Sequence, residues 1–455
     1  MQKNDLLRLS CENLGADLEG VCRHQGMAVF VPGLLPGEEA TVRIVRCQKS
    51  YAFGRVEKRL SDSPDRVTPD CPAYPRCGGC SCRHMTYEAT LRAKRQQVAD
   101  CFARIGHLTV EVPPVLGMSE PALYRNKTAL PVGGTADRPQ LGFFAERSHD
   151  IIPIDGCPNA MPPADDIGRA FLVWAKHYHV QPYAEASHTG LLRHLVVRVS
   201  RSGEAMAVVV ANGDRLPHED VLVKLLREAG AVSVILNRNT ERTNVILGRD
   251  YRTLFGPDTI GDSLCGLAFE VGPASFFQVN PMQTEVLYQT ALDFAELTGT
   301  ERLCDVYCGA GTITLMMARH CGSALGIEVV PQAIDNARAN AVRNGVTNAE
   351  FRVGAAEALL PELVAGGLRP DVIVVDPPRK GLEPAVIEAI AAAGPRRVVY
   401  VSCNVAPQAR DAALLCAKGY TLDRVQPVDM FCWTSGVENV MALSLSSPAG
   451  TGKPL

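Results

Sequence analysis

The chain has 455 residues, 46% of them apolar, which is ample for several buried cores and sets a length expectation of about three domains. A formal net charge of −3 excludes a uniformly basic nucleic-acid coat, and no apolar run approaches the roughly 18 residues needed to span a bilayer. The N-terminal Met1-Gln2-Lys3-Asn4-Asp5 lacks a basic and apolar export signature, so a cytoplasmic protein is expected, whose sixteen cysteines read as metal ligands or catalytic thiols rather than disulfides.

Residues 1–60 alternate apolar and polar positions, as in Met27-Ala28-Val29-Phe30-Val31 and Ala40-Thr41-Val42-Arg43-Ile44-Val45, with turns at Pro32-Gly33 and Pro36-Gly37. That pattern predicts a small β-barrel of the OB-like kind. Between residues 43 and 66, Arg43, Arg46, Lys49, Arg55, Lys58, Arg59 and Arg66 face only Glu57, Asp62 and Asp65. Such a patch reads either as a solvated strand face or as a grip on RNA phosphates, with Tyr51 and Phe53 available to stack on bases. The second reading makes affinity fall steeply with salt. The Pro/Cys-rich stretch from Cys71 to Cys82 suits a metal-clipped loop, and a helix is expected over Tyr87–Ile105. Residues 106–270 mix short strands, such as Leu195–Val199 and Ala205–Val210, with helices such as Glu219–Ala229.

From about Gly299 the pattern becomes strict strand–helix alternation. Strands are expected at Arg302–Tyr307, Ala324–Glu328, Glu350–Val353, Val372–Asp376, Arg397–Ser402, Thr421–Val428 and Val440–Ser444, with helices such as Pro331–Asn344 and Pro384–Ala392 between them. This rhythm predicts an α/β fold with a doubly wound, mostly parallel sheet, followed by a short Ser/Gly/Pro tail after Leu445.

Within that sheet, Asp305-Val306-Tyr307-Cys308-Gly309-Ala310-Gly311-Thr312 runs from a strand through a glycine turn into a helix. Gly309 and Gly311 allow a tight turn and close approach to a cofactor, and the following helix offers free N–H groups. Glu328 ends the next strand, where a carboxylate can accept hydrogen bonds from ribose hydroxyls. Thr314 stands where a third glycine would complete G-x-G-x-x-G, which favours S-adenosylmethionine, with no pyrophosphate to cradle, over NAD. Asp376-Pro377-Pro378 ends a further strand, and Cys403 follows the apolar run Arg397–Ser402, placing a nucleophilic thiol at the rim where ligands bind. The competing structural readings are a helix-capping carboxylate for Glu328, a core thiol for Cys403 and a strand-end carboxylate for Glu438.

Together these residues resemble the RNA 5-methyluridine methyltransferase family, specifically its iron–sulfur, ribosomal-RNA members, over nearly the whole chain. The resemblance is carried by Val29-Phe30-Val31-Pro32-Gly33 and Leu35-Pro36-Gly37-Glu38 of a TRAM-like barrel, Tyr124-Arg125-Asn126-Lys127, Ser275-Phe276-Phe277-Gln278-Val279-Asn280-Pro281, the Asp305–Gly311 turn, Asp376-Pro377-Pro378-Arg379-Lys380-Gly381 and Tyr400-Val401-Ser402-Cys403-Asn404. It implies a TRAM barrel over residues 1–60, a central domain with a cluster over 61–270 to which the helix at 87–105 adds a contact with the catalytic domain, and a Rossmann-like methyltransferase domain over 271–455. It further implies that Gln278, Tyr307, Glu328 and Asp376 line the S-adenosylmethionine and target-base site, that Cys403 attacks C6 of a uracil, and that Glu438 removes the C5 proton. The family pattern has proline where this chain has Val405, and Phe-Pro-Gln-Thr before His-Val-Glu where it has Phe431-Cys432-Trp433-Thr434 before Gly436-Val437-Glu438.

The same resemblance implies a [4Fe–4S] cluster on Cys71, Cys77, Cys80 and Cys157. Thiolates are soft ligands suited to iron–sulfur groups, whereas zinc more often takes two compact cysteine pairs and this arrangement has one Cys-x-x-Cys. Zinc and unligated thiols remain the alternatives, and Cys82 is a local alternative to Cys157. The implied activity is methylation of C5 of a uridine in 23S ribosomal RNA. A transfer-RNA target, a non-catalytic RNA-binding iron–sulfur scaffold, and a cytosine or small-molecule methyltransferase are the competing readings. RNA is the expected partner, and neither a membrane nor a protein partner is implied.

Overall fold

The structure, a computed structural model, describes residues 1–446, and the tail expected after Leu445 lies beyond Ser446, outside the described residues. Strands β1 (Leu6–Leu14), β2 (Gly20–His24), β3 (Met27–Val31), β4 (Glu39–Cys47) and β5 (Tyr51–Arg59) form a closed barrel in the order β1-β2-β3-β5-β4. Alternation along the strands sends Leu9, Cys22, Val29, Val31, Val42 and Ile44 inward. It turns Phe30, Tyr51 and Phe53 outward as a group of three rings with centroids 5.6 to 5.8 Å apart.

The cysteine segment leads into helix α1 (Tyr87–Cys101), N-capped by Thr86, and then a π-helical turn over Phe102–Gly106. Val98 and Phe102 sit in the apolar core of the C-terminal sheet, so this helix packs against the distant end of the chain. Between them Lys94 meets Asp429, both side chains fully buried, and Lys94 Nζ also donates to the carbonyl of Phe431 at 3.0 Å. Tyr87 adds its hydroxyl to the other oxygen of Asp429 at 2.7 Å. Two opposite charges survive in an apolar core only when each has its partners, so this contact joins the early helix to the late loop rigidly.

The central unit is a mixed seven-stranded sheet of β6 (Lys127–Thr135), β7 (Arg138–Phe144), β8 (Ile151–Pro153), β9 (Leu192–Val199), β10 (Ala205–Ala211), β11 (Ala231–Arg238) and β12 (Asp250–Phe255), in the order β12-β11-β10-β9-β6-β7-β8. Helices α2 (Ala164–His177) and α3 (Glu219–Glu228) cover one face, against Val197, Ala207 and Val209. The other face presents Val196, Met206, Val208 and Val210 to the core of the C-terminal unit. Burial on both sides explains why β10 reads as an unbroken apolar run instead of an alternating one. A hairpin, β13 (Ile260–Leu264) and β14 (Leu267–Val271), joins that same C-terminal core, so residues 260–271 pack with the segment that follows them.

The C-terminal sheet contains β15 (Arg302–Val306), β16 (Ser323–Glu328), β17 (Ala349–Val353), β18 (Val372–Val375), β19 (Arg397–Ser402), β20 (Tyr420–Val428) and β21 (Glu438–Leu445). Their order is β17-β16-β15-β18-β19-β21-β20, parallel except for β21, which is antiparallel to both neighbours. Helices α4 (Pro281–Ala295), α5 (Thr312–Ala318), α6 (Pro331–Arg343), α7 (Ala356–Ala365), α8 (Pro384–Ala393) and α9 (Val405–Cys416) complete the doubly wound α/β arrangement. The strand order reverses between β15 and β18, and the crevice beyond their carboxyl ends is where such sheets bind ligands. No described helix is long and apolar enough to cross a membrane.

Because Lys94 is, among the described residues, the only formal positive charge in contact with buried Asp429, Lys94→Met is expected to lower unfolding free energy by about 3–5 kcal/mol. Urea unfolding of the variant checks this, and a loss below about 1 kcal/mol would mean that Asp429 finds another partner.

Candidate active site

Register alone brings most of the expected residues to one rim. Val306 pairs with Val375 and Val375 with Tyr400, so Tyr307 and Asp376 leave neighbouring strands at the same level. Ser402 pairs with Asn439 across the antiparallel β19–β21 ladder, which makes Cys403 and Glu438 the residues immediately beyond that pair on the same side. Gln408 of α9 locks the two strands together: its amide donates to the carbonyls of Tyr400 (2.9 Å) and Asn439 (3.0 Å) and accepts from the Asn439 side chain at 2.8 Å.

A cavity of about 1220 Å³ opens over this rim, lined by Gln278, Tyr307, Gly309, Glu328, Asp376, Cys403 and Glu438 among others. Gly311 does not border it. At φ +81° it caps α5, and a Cβ there would stand 3.0 Å from both Ala337 and Phe351, so a glycine is needed here for the turn and for packing. Tyr307 also holds a left-handed backbone (φ +74°), uncommon for an aromatic residue, stabilised by its N–H donating to the Ile327 carbonyl at 2.9 Å. Glu328 accepts from the backbone N–H of Gly309 at 3.2 Å and of Val330 at 2.9 Å. These bonds aim the carboxylate over the glycine turn while leaving further lone pairs for a ligand's hydroxyls.

Gln278 is carried by the loop between β14 and α4, held from the central sheet. The Asn126 amide donates to the Gln278 carbonyl at 2.9 Å, and the Asn126 N–H to the Val279 carbonyl at 2.9 Å. Buried Arg198 reaches the carbonyls of Pro273 and Ser275. The same loop leaves Phe276, within the Ser275–Pro281 motif, 80% exposed at the cavity's edge. Exposed large aromatics have no periodicity to betray them, and only their isolation at a ligand cavity marks them.

The electrostatics of the rim follow from burial. Desolvation pushes Glu438 up to about 8, with Asp376 adding repulsion. Asp376 is itself raised to about 7 by desolvation and then by Asp305, which is buried behind the sheet and hydrogen-bonded to Thr314. The Cys403 thiol is raised above the ordinary thiol range by burial, Glu438 and Asp376, against which Arg379 and a backbone hydrogen bond act. A basic carboxylate and a thiol beside it, both screened from water, can add sulfur to an electrophilic carbon and afterwards take a proton from its neighbour. Val405, where the family pattern has proline, fills the first position of α9 and is buried in the core behind the rim.

The cysteine segment forms a second cavity of about 110 Å³ on the far side of the Glu438 loop, bordered by Cys71, Cys77, Cys80 and Cys157 together with Tyr74, Arg83 and Arg125. Cys82 lies outside it: fully buried, it points its thiol at the Thr434 carbonyl and accepts from the Thr90 hydroxyl. Gly79 N–H donates to Cys77 Sγ at 3.4 Å and the Asn159 amide to Cys80 Sγ at 3.5 Å. Among the described residues no three His, Cys, Asp or Glu side chains converge as the ligands of a single ion would. Nor is there a disulfide.

The profile of the tRNA (uracil-5-)-methyltransferase family matches residues 222–445, and that of the TRAM domain residues 6–56. An uncharacterized RNA methyltransferase of Halalkalibacterium halodurans is 44% identical over 98% of both chains, and one of Clostridium tetani is 42% identical over 98% of this chain and 97% of its own. Among solved structures, Pyrococcus abyssi tRNA (uracil-54, C5)-methyltransferase in complex with S-adenosyl-L-homocysteine is similar with a TM-score of 0.78 at 28% identity, covering 96% of this chain and 99% of that one. This chain therefore belongs to the tRNA (uracil-5-)-methyltransferase family, with a TRAM barrel at its N-terminus. It is an S-adenosylmethionine-dependent RNA methyltransferase.

If Glu328 holds the cofactor's ribose, Glu328→Ala should weaken S-adenosylhomocysteine binding by about 1.5–3 kcal/mol, roughly tenfold or more, with little change in unfolding temperature. Isothermal titration calorimetry checks this, and unchanged affinity would assign Glu328 only its contacts with Gly309 and Val330.

Proposed function

We propose that this protein methylates C5 of a uridine in 23S ribosomal RNA, with Cys403 as nucleophile and Glu438 as base, and that Cys71, Cys77, Cys80 and Cys157 hold a [4Fe–4S] cluster. The observation that carries the chemistry is the placement of Cys403 and Glu438 at the same end of paired strands, in one cavity with Gln278, Tyr307, Glu328 and Asp376. C5 of uracil is a weak nucleophile until sulfur adds to C6, which turns the ring into an enolate whose C5 carries the charge. Bound S-adenosylmethionine supplies the electrophilic methyl group. Cys403 forms the S–C6 bond. After C5 has gained its methyl group, Glu438 takes the C5 proton, and the electrons of that C–H bond expel the thiolate and restore the double bond. The target base must leave its stack to reach the cavity, for which single-stranded or loop RNA is the natural substrate. Phe276 at the cavity's edge and the outward Phe30, Tyr51 and Phe53 of the barrel are the aromatics that support stacking on such RNA.

The donor set supports the cluster. Four soft thiols, Cys71, Cys77, Cys80 and Cys157, border one small cavity, and thiolates are the ligands that iron–sulfur groups take. Arg83 and Arg125 beside them offset the negative charge of four thiolates, and the N–H donors of Gly79 and Asn159 already point at sulfur. The position of Cys157 on this cavity, and of Cys82 off it, favours Cys157 as the fourth ligand.

Ribosomal RNA rests on the motif resemblance. The similarity to a named transfer-RNA enzyme over almost its full length supports the second reading, a transfer-RNA uridine, because domain organisation does not separate the two. Mass-spectrometric mapping of 5-methyluridine in cells lacking the protein decides between them. Loss from 23S ribosomal RNA supports the proposal, and loss from transfer RNA alone replaces it with the second reading.

Glu438→Gln should accumulate a covalent protein–RNA species on denaturing gels, with turnover falling by about a hundredfold or more. In the unaltered enzyme Glu438 must be ionised to accept the proton, so product release should rise with pH and level off above about 8. Normal turnover by the glutamine variant, or release independent of pH, would remove Glu438 from the mechanism.

A further inference from the structure

Residues Phe431-Cys432-Trp433-Thr434 depart from the family pattern directly before the catalytic carboxylate, and the structure shows what the departure does. Trp433 has a left-handed backbone at φ +66°. For a bulky aromatic that conformation costs of the order of 1–2 kcal/mol and persists only where neighbours hold it. Its holders all come from residues 81 to 121. The Trp433 carbonyl accepts from the N–H of Ser81 at 2.9 Å and of Cys82 at 3.2 Å, and its indole N–H donates to the Pro121 carbonyl at 2.6 Å. The Arg83 guanidinium lies 5.2 Å from the centre of the indole, and the Tyr87 ring 5.4 Å from it on α1.

From Arg83 the contacts lead directly to the four-thiol cavity. Arg83 donates to the Asn159 side-chain oxygen, and the Asn159 amide donates to Cys80 Sγ. On the other side of Trp433 a tight turn leads to the base: Thr434 N–H and hydroxyl both donate to the Phe431 carbonyl, and Gly436 N–H donates to the Thr434 hydroxyl at 3.2 Å, two residues before Glu438. The start of the loop is anchored separately, by Lys94 on Asp429 and on the Phe431 carbonyl. Its middle is shared between the cysteine segment, through Ser81 and Cys82, and the Tyr124 hydroxyl, which donates to the Cys432 carbonyl at 2.9 Å.

We propose that Trp433 is a positioning residue through which the filling of the cysteine cavity sets the placement of Glu438. This rests on the cluster reading above. Without its inorganic core the cysteine loop has no covalent tie, the amides of Ser81 and Cys82 lose their fixed position, and the left-handed Trp433 relaxes. Glu438 then moves away from the C5 proton while Cys403, on a different strand, stays in place.

Hydrogen–deuterium exchange on the full-length protein, with iron and sulfide assayed in the same samples, tests this. Removing iron should speed exchange in peptides covering 432–437 by about tenfold while leaving β18 and α9 unchanged. Trp433→Leu should keep its iron and sulfide yet show the fast exchange with iron bound, and iron removal should add nothing further. That variant should form the covalent RNA adduct at the normal rate and release it slowly, a split that general destabilisation would not produce. Trp433→Phe, which keeps a ring under Arg83, should restore most of the slow exchange. Iron bound but exchange unaffected by its removal would overturn the inference and leave the cluster reading standing. Protein that takes up neither iron nor sulfide would overturn both.

Discussion

The antiparallel pairing of β19 with β21 is the constraint on which the site depends. A parallel sheet delivers residues to its rim only from strands that run toward it, which yields Tyr307, Glu328, Asp376 and Cys403. A carboxylate next to the thiol must come from a strand that starts at that rim, and β21 supplies Glu438 by running backward between β19 and β20. Gln408, buried behind the ladder, satisfies backbone groups on one strand and backbone and side chain on the other, so the two reactive groups share one frame. Their relation is a matter of register, and a slip by one residue would turn Glu438 to the opposite face.

Burial sets the chemistry of that frame. Asp376 and Glu438 line a poorly hydrated crevice with Asp305 fully buried nearby, and each carboxylate raises the proton affinity of the next. A positively charged cofactor beside them would offset this repulsion, whereas its neutral product would not. The carboxylates therefore become more basic once the methyl group has left the cofactor, the stage at which the proposed mechanism requires a proton acceptor. Coulomb interactions are strong where water is excluded, so a change of one charge in such a site moves proton affinities substantially.

Much of this could be read from residue order. The strand–helix rhythm after Gly299 gave each strand of the C-terminal sheet to within a residue or two, because buried parallel strands are short apolar runs between helix caps. The barrel was legible from alternation, and the rim residues from their positions at strand ends. What order could not give was anything set by distant packing. Helix α1 docks on the C-terminal core, as the family resemblance implied, but its continuation as a π-helical turn at Phe102 had no local signature. Cys82 lies next to Cys80 in sequence yet is buried away from the cavity that Cys71, Cys77, Cys80 and Cys157 border, a separation that only the loop's path in space reveals. The packing demand on Gly311 was equally hidden, since its neighbours Ala337 and Phe351 come from later segments.

The position of β21 has a consequence for how the protein comes into being. Its neighbours β19 and β20 are both made earlier, and they cannot pair with each other across the gap it will fill. Until β21 is in place, Cys403 stands on an unfinished sheet edge without its neighbouring carboxylate. The last strand to insert is therefore the one that brings the two groups of the rim together.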